Sequence, residues 1–183
     1  MEEQRLQIKP EEIKIEIIDG NHEVDLFQSY EKELVDFLRE DALENQKQRL
    51  SVTFLWFYDG KLVSYISLLN DKINLEGDLK EFFREKGIHY KSLPALKIGR
   101  LCVDDRFLRR GFGKLMVLTA IRIAQEISKS RSGCRFVTLD TKRNQDPEKD
   151  PLLFYQKMGF QVLQEKKKRP TPMYLDVQLI EGA

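Results

Sequence analysis

Apolar and polar residues alternate over 13–18 (IKIEII), the two-residue period of a strand with one buried face. The pattern then changes. Phe27, Tyr30, Leu34, Phe37 and Leu38 recur at three- and four-residue steps, which predicts an amphipathic helix, with a second short helix over 41–49. Residues 51–58 and 62–69 are rich in aromatic and β-branched side chains and are joined by Asp59-Gly60, a hairpin signal because a two-residue turn needs positive φ. Leu96, Ile98, Leu101 and Val103 nearly alternate and predict another strand. After the polar turn Asp104-Asp105-Arg106, the run Leu108-Arg109-Arg110-Gly111-Phe112-Gly113-Lys114 opens a long helix whose stripe is Phe112, Leu115, Met116, Thr119, Ile123 and Ile127. Residues 134–141 (CRFVTLDT) read as a buried strand. Asp150-Pro151 then starts the last main helix, with Asp capping free amides and Pro in the first turn. Strands over 160–165 and 173–179 finish the chain.

The segment 70–94 is longer than a hairpin connection requires. Leu79, Phe82 and Phe83 sit at helical spacing between Asp78 and Gly87, so a short helix is expected within it. It has two readings, a lid over an acceptor or a packed elaboration. Packing is favoured because two phenylalanines need burial.

At 183 residues, one domain spanning 1–183 is the natural count, with 70–94 as an insertion. Hydrophobic content of 41% and charged content of 33% suit a soluble globular chain. The N-terminus, MEEQRLQIKPEEIK, is acidic and lacks an apolar h-region, so no signal peptide is expected, and no run of about 18 apolar residues predicts a membrane span. Two cysteines make no disulfide framework, and a reducing cytoplasm is the default compartment. His22 and His89 lack metal-ligand spacing; neither is assigned a role, and no metal is expected.

The net charge of +1 hides an asymmetry. Residues 1–50 hold 7 Lys/Arg against 14 Asp/Glu, whereas residues 106–143 hold 10 against 2. That positive block is centred on the loop between strand and helix. A helix start has unpaired amides and partial positive charge, and Gly111 and Gly113 let an anion approach the backbone. A phosphate ligand is therefore indicated. The spacing is not that of a Walker A loop, nor of the dinucleotide fingerprint, whose third glycine position is Met116. Arg109, Arg110, Lys114, Lys142 and Arg143 are the better ligand candidates, while Arg122 and Lys129 solvate a helix face.

Two motifs carry a resemblance. Arg109-Arg110-Gly111-Phe112-Gly113 resembles motif A of the GNAT superfamily, the acetyl-CoA-dependent N-acetyltransferases, with Leu108 where Gln or Arg is usual. Downstream, DPLLFYQKMGF at 150–160 resembles the Phe-Tyr-x-x-x-Gly-Phe of the same superfamily through Phe154, Tyr155, Gly159 and Phe160. The resemblance covers roughly 50–180. It implies a mixed α/β (α+β) GNAT fold: a central, mostly antiparallel sheet of six to seven strands, a parallel, splayed pair formed by the fourth and fifth strands, and four to five flanking helices. In that fold Cys102 ends one strand and Cys134 begins its parallel neighbour, a geometry that does not bridge. The first two helices wall one side of the acceptor pocket, and the loop near 39–41 belongs either to the core or to that site.

The resemblance further implies acetyl-CoA as cosubstrate. Amides of 109–114 hold the pyrophosphate, backbone groups of Leu101, Cys102 and Val103 face the thioester, and Asn144 is the nearest match to an Asn that holds the pantetheine arm. Tyr155 is the position that protonates the leaving thiolate. No general base is named. Attack is direct, within a ternary complex, because a buried strand thiol such as Cys102 is usually inert.

For the acceptor, 96–160 resembles the compact acetyltransferases of toxin–antitoxin modules, which acetylate aminoacyl-tRNA and pair with ribbon-helix-helix antitoxins. The length of 70–94 and the acidic N-terminal third weigh against RNA. A small-molecule or protein amine stays ahead of tRNA, and a non-catalytic acyl-CoA-binding module is a third reading. The run Lys166–Pro170 is a solvated turn or meets an anionic acceptor. A monomer or homodimer is expected, without a membrane partner.

Overall fold

The alternation at 13–18 becomes β1 (Ile13–Ile17) in a computed structural model that describes residues 8–146, 150–163 and 170–180. Strand β1 pairs antiparallel with β2 (Val52–Tyr58), from Ile13 opposite Tyr58 to Ile17 opposite Phe54. Asp59 and Gly60 take φ of 50° and 68°, the doubly left-handed turn their sequence predicts, and return the chain into β3 (Lys61–Asn74).

The helical pattern settles differently from the prediction. Phe27 and Tyr30 precede the helix, which runs without a break through α1 (Lys32–Asp36), a π-helical segment (Phe37–Asp41) and α2 (Ala42–Lys47). Neither Gly nor Pro stands between the two predicted helices, so nothing ends the first, and the wider π turn absorbs the change in the apolar stripe. Phe27, Val35, Phe37, Leu38, Leu55, Tyr65 and Cys102 form one buried core, into which the Tyr65 hydroxyl donates to the Leu34 carbonyl at 2.6 Å. Gln46 of α2 joins β1 to β2: its Nε2 donates to the Ile18 carbonyl at 2.8 Å and its Oε1 accepts from the Thr53 amide at 3.0 Å.

A second core gathers the segment that read as an insertion. Strand β3 extends to Asn74 and β4 (Ser92–Val103) begins well before Leu96, leaving α3 (Gly77–Glu85) and its flanks between them. Ile73, Leu75, Phe83, Ala95 and Phe136 pack together, with Phe83 edge-on to Phe136 at 5.8 Å. Phe83 is fully buried, whereas Phe82 stays 40% exposed. After the long α4 (Phe112–Ser130), β5 (Phe136–Thr141) pairs antiparallel with β7 (Thr171–Asp176). Arg135 holds Asp176 bidentately at 2.8 and 2.7 Å. Between them lie α5 (Leu152–Lys157) and the two-residue β6 (Gln161–Val162). The Lys166–Arg169 stretch lies outside the described residues.

The strand order is β1-β2-β3-β4-β5-β7-β6, mostly antiparallel with a parallel β4–β5 pair: the mixed α/β sheet of the GNAT fold, with four helical bodies among the described residues. By compactness the chain divides into one unit holding residues up to Leu69 with Ile98–Thr119, and another holding Asn70–Lys97 with residues from Ala120 onward. No helix of the described residues is long and apolar enough to cross a membrane.

Candidate active site

In the first unit, β4 ends at Val103 and hands over to a loop organised by Asp104. This carboxylate is fully buried. Its Oδ1 accepts from the Arg106 amide at 3.0 Å and Arg106 Nε at 2.8 Å; its Oδ2 accepts from Arg106 Nη2 at 2.7 Å and the Gln28 amide at 3.0 Å. Burial alone raises an acid, but these donors outweigh it and hold the Asp104 carboxyl below its usual value. The sequence shows Asp104 only as a polar turn residue, so this anchor is a feature that sequence reasoning missed.

A short 3₁₀ turn, Asp105–Phe107, leads to Leu108, which is exposed. Arg109 and Gly111 then adopt left-handed φ of 60° and 102°, with Arg110 between them. Two positive-φ residues flanking Arg110 bend the backbone sharply just ahead of the helix start. Gly111 is needed there, because a residue with a Cβ is strained at that φ. The Leu115 amide closes on the Gly111 carbonyl at 3.1 Å, so the amides of Phe112, Gly113 and Lys114 have no partner in the preceding turn. The Phe112 side chain is buried edge-on to Tyr58 at 5.7 Å, so toward a ligand it offers its amide. The Arg110 guanidinium lies 5.1 Å from the Phe107 ring and, with Tyr58, Asp59, Lys61, Arg106 and Phe107, lines an open cavity of about 350 Å³. Helix-start amides in a loop that also carries basic side chains are the kind of donor set that fits a pyrophosphate.

Leu101, Cys102 and Val103 form the end of β4 leading into this loop. The Cys102 thiol is buried, which pushes its pKa up to about 11. Cys102 and Cys134 are both free and buried.

The second unit carries the other two predicted residues. Asn144 follows β5, and its Oδ1 accepts from the Asp146 amide at 3.0 Å, turning the loop on itself. Asp150 caps α5 as its sequence predicts, accepting from the Leu152 amide at 3.1 Å and holding Arg143 at 2.8 Å. On α5, the Tyr155 ring is edge-on to Phe154 at 5.0 Å and to Phe160 at 5.8 Å. Burial pushes its phenol up to about 12, so it stays protonated through the neutral range. Leu101 through Lys114 are thus brought together as one continuous feature of the first unit, and Asn144 and Tyr155 are positioned by the second.

Comparison with known proteins gives a consistent picture. The profile of the acetyltransferase (GNAT) family matches residues 20–160. No curated protein matches the sequence. Among solved structures, AtaT complexed with acetyl-methionyl-tRNAfMet is similar at 19% identity, with 92% of this chain and 97% of that chain covered and a TM-score of 0.75. A tyrosine-to-phenylalanine variant of KacT is similar at 18% identity, with 93% and 98% covered and a TM-score of 0.76. AtaTR bound with acetyl-CoA is similar at 19% identity, with 93% and 97% covered and a TM-score of 0.75. Since the profile spans most of the chain, and the loop ahead of α4 has the donors a pyrophosphate needs, this chain belongs to the acetyltransferase (GNAT) family and is an acetyl-CoA-dependent acyltransferase.

Proposed function

We propose that the chain transfers the acetyl group of acetyl-CoA to a primary amine by direct attack. The observation that carries the direct route is Cys102: with its thiol pushed up to about 11 and buried, almost none is thiolate at neutral pH, so an acetyl-cysteine intermediate is disfavoured. In the proposed step the neutral amine nitrogen forms the new C–N bond as the C–S bond breaks. The amides of 109–114 hold the pyrophosphate, and backbone groups of Leu101–Val103 polarise the carbonyl oxygen as it gains charge. The Tyr155 phenol gives its proton to the departing sulfur. The proton shed by the amine leaves through water. Asn144 steadies the pantetheine arm. The setting is a reducing cytoplasm, where both thiols stay free.

A second reading of the acceptor, the α-amine of aminoacyl-tRNA, is favoured by the extent of the similarity to AtaT in complex with acetyl-methionyl-tRNAfMet, which runs through nearly all of both chains. A partner antitoxin belongs to that reading, as in the AtaT variant bound to the C-terminus of the antitoxin AtaR. A thiol-release assay over a panel of amines with aminoacyl-tRNA included tests both. Turnover of any amine supports the transferase. Preference for charged tRNA selects the second reading. Acetyl-CoA binding without turnover of any member of the panel would refute the transfer.

A further inference from the structure

The first unit contains a cation that the proposed chemistry does not use. Arg100 lies on β4, two residues before Cys102, so the two side chains share the face that packs on the α1–α2 helical body. Its guanidinium sits over the Phe37 ring at 5.1 Å, where the π segment begins, and Phe37 is itself stacked on Tyr65 at 6.2 Å. One terminal nitrogen donates to the carbonyl of its own neighbour, Gly99, at 2.8 Å. Its Nε is buried and has no hydrogen-bond partner, and no ion pair joins Arg100 to a carboxylate among the described residues.

Two other arginines of this unit are better supplied with acceptors. Arg106 is paired with Asp104, and Arg39 Nη2 donates to the carbonyls of both Asp25 and Phe27. A guanidinium partly withdrawn from water without a counter-charge is unfavourable, and a donor left buried and unmatched adds to the cost. The aromatic face compensates part of this and fixes the plane of the fork, which leaves the group set for a bidentate oxyanion.

We infer that Arg100 binds an oxyanion of the acceptor, so the acceptor is an amine that carries a phosphate or carboxylate near its reactive nitrogen. This rests on the transferase reading above and narrows its substrate class. Plain alkylamines and polyamines fall outside that class; amino acids and aminoacylated nucleotides fall within it.

Arg100→Gln and Arg100→Lys are compared with wild type in the thiol-release assay, using aminoacyl-tRNA, free amino acids, the corresponding amino-acid amides and a polyamine. For the anionic acceptors kcat/KM is expected to fall 30-fold or more in Arg100→Gln, carried mostly by KM, with at least partial recovery in Arg100→Lys. The dissociation constant for acetyl-CoA, from calorimetry, is expected to stay within twofold. Loss confined to charged tRNA assigns the anion as phosphate; loss confined to free amino acids assigns it as carboxylate. Equal losses for the amides and the polyamine, or no loss for any acceptor, would overturn the inference. In wild-type protein saturated with CoA, the Arg100 Nε–H resonance is expected to shift on titration with inorganic phosphate or acetate. No shift with either ion would overturn the inference even if the variants failed to fold. Failure of wild type to bind acetyl-CoA would instead defeat the transferase reading.

Discussion

Replacing Asp104 by Asn removes one charge from the interior and leaves nearly the same shape. One oxygen remains, but two of the four donors, those that now meet the Oδ2 carboxylate oxygen, face an amide NH₂ instead. A hydrogen bond to a charged group contributes about 1.5–3 kcal/mol, so losing two costs about 3–6 kcal/mol, which overlaps the roughly 3–5 kcal/mol expected for breaking a buried ion pair. Truncating Arg106 to Ala is gentler. Its side chain is 49% exposed, and Asp104 keeps two main-chain donors, so a smaller loss than for Asp104→Asn is expected. Urea unfolding followed by circular dichroism measures both, and Asp104→Asn should lower the midpoint by roughly 1 M or more. Acid dependence supplies an independent check. Because the folded carboxyl titrates below its unfolded value, its contribution is complete at neutral pH and is lost as pH falls through the folded value, so the wild-type advantage over Asp104→Asn should vanish in strong acid. A cost below about 1 kcal/mol for Asp104→Asn, or a larger one for Arg106→Ala, would refute the assignment of Asp104 as the anchor of this loop.

Further outcomes are expected at the site and in the second core. Tyr155→Phe should lower kcat by roughly 10²- to 10⁴-fold in the thiol-release assay while leaving CoA affinity by calorimetry unchanged. Gly111→Ala forces a Cβ into a φ of 102° and should cost about 1–2 kcal/mol in urea melts together with weaker CoA binding. Cys102→Ala should keep most turnover, and wild-type Cys102 should resist iodoacetamide at pH 7, read by mass spectrometry, because its thiol is held near 11. Phe83→Ala should cost about 3–5 kcal/mol in the same melts, and Phe82→Ala much less, since only the first is enclosed.

Much of this architecture is legible in the residues because local chemistry decides it. Asp59-Gly60 can hardly be anything but a left-handed turn, and the glycine at 111 announces the left-handed backbone found ahead of the striped helix. Other features depend on distant partners. Asn70, Asp71 and Lys72 look like loop residues, yet Asp71 accepts from Thr138 Oγ1 at 2.7 Å, which suits a polar residue in the continuing β3 strand. At the other end, β7 stops at Asp176 because that carboxylate accepts from the Gln178 amide at 3.0 Å and bends the chain into a 3₁₀ turn. Asp104 and Arg100 read as ordinary charged residues, and only their surroundings separate the satisfied one from the unsatisfied one.

The wide turn between α1 and α2 also sets where this helix can lose a residue. Five residues at π pitch turn through nearly the angle of four at α pitch, so excising a single position from Phe37–Asp41 would convert the segment to ordinary helix and leave α2 close to its present orientation. The same excision between Ala42 and Asn45 would instead turn Gln46 by about 100° away from Ile18 and Thr53, and the first two strands would lose their clasp.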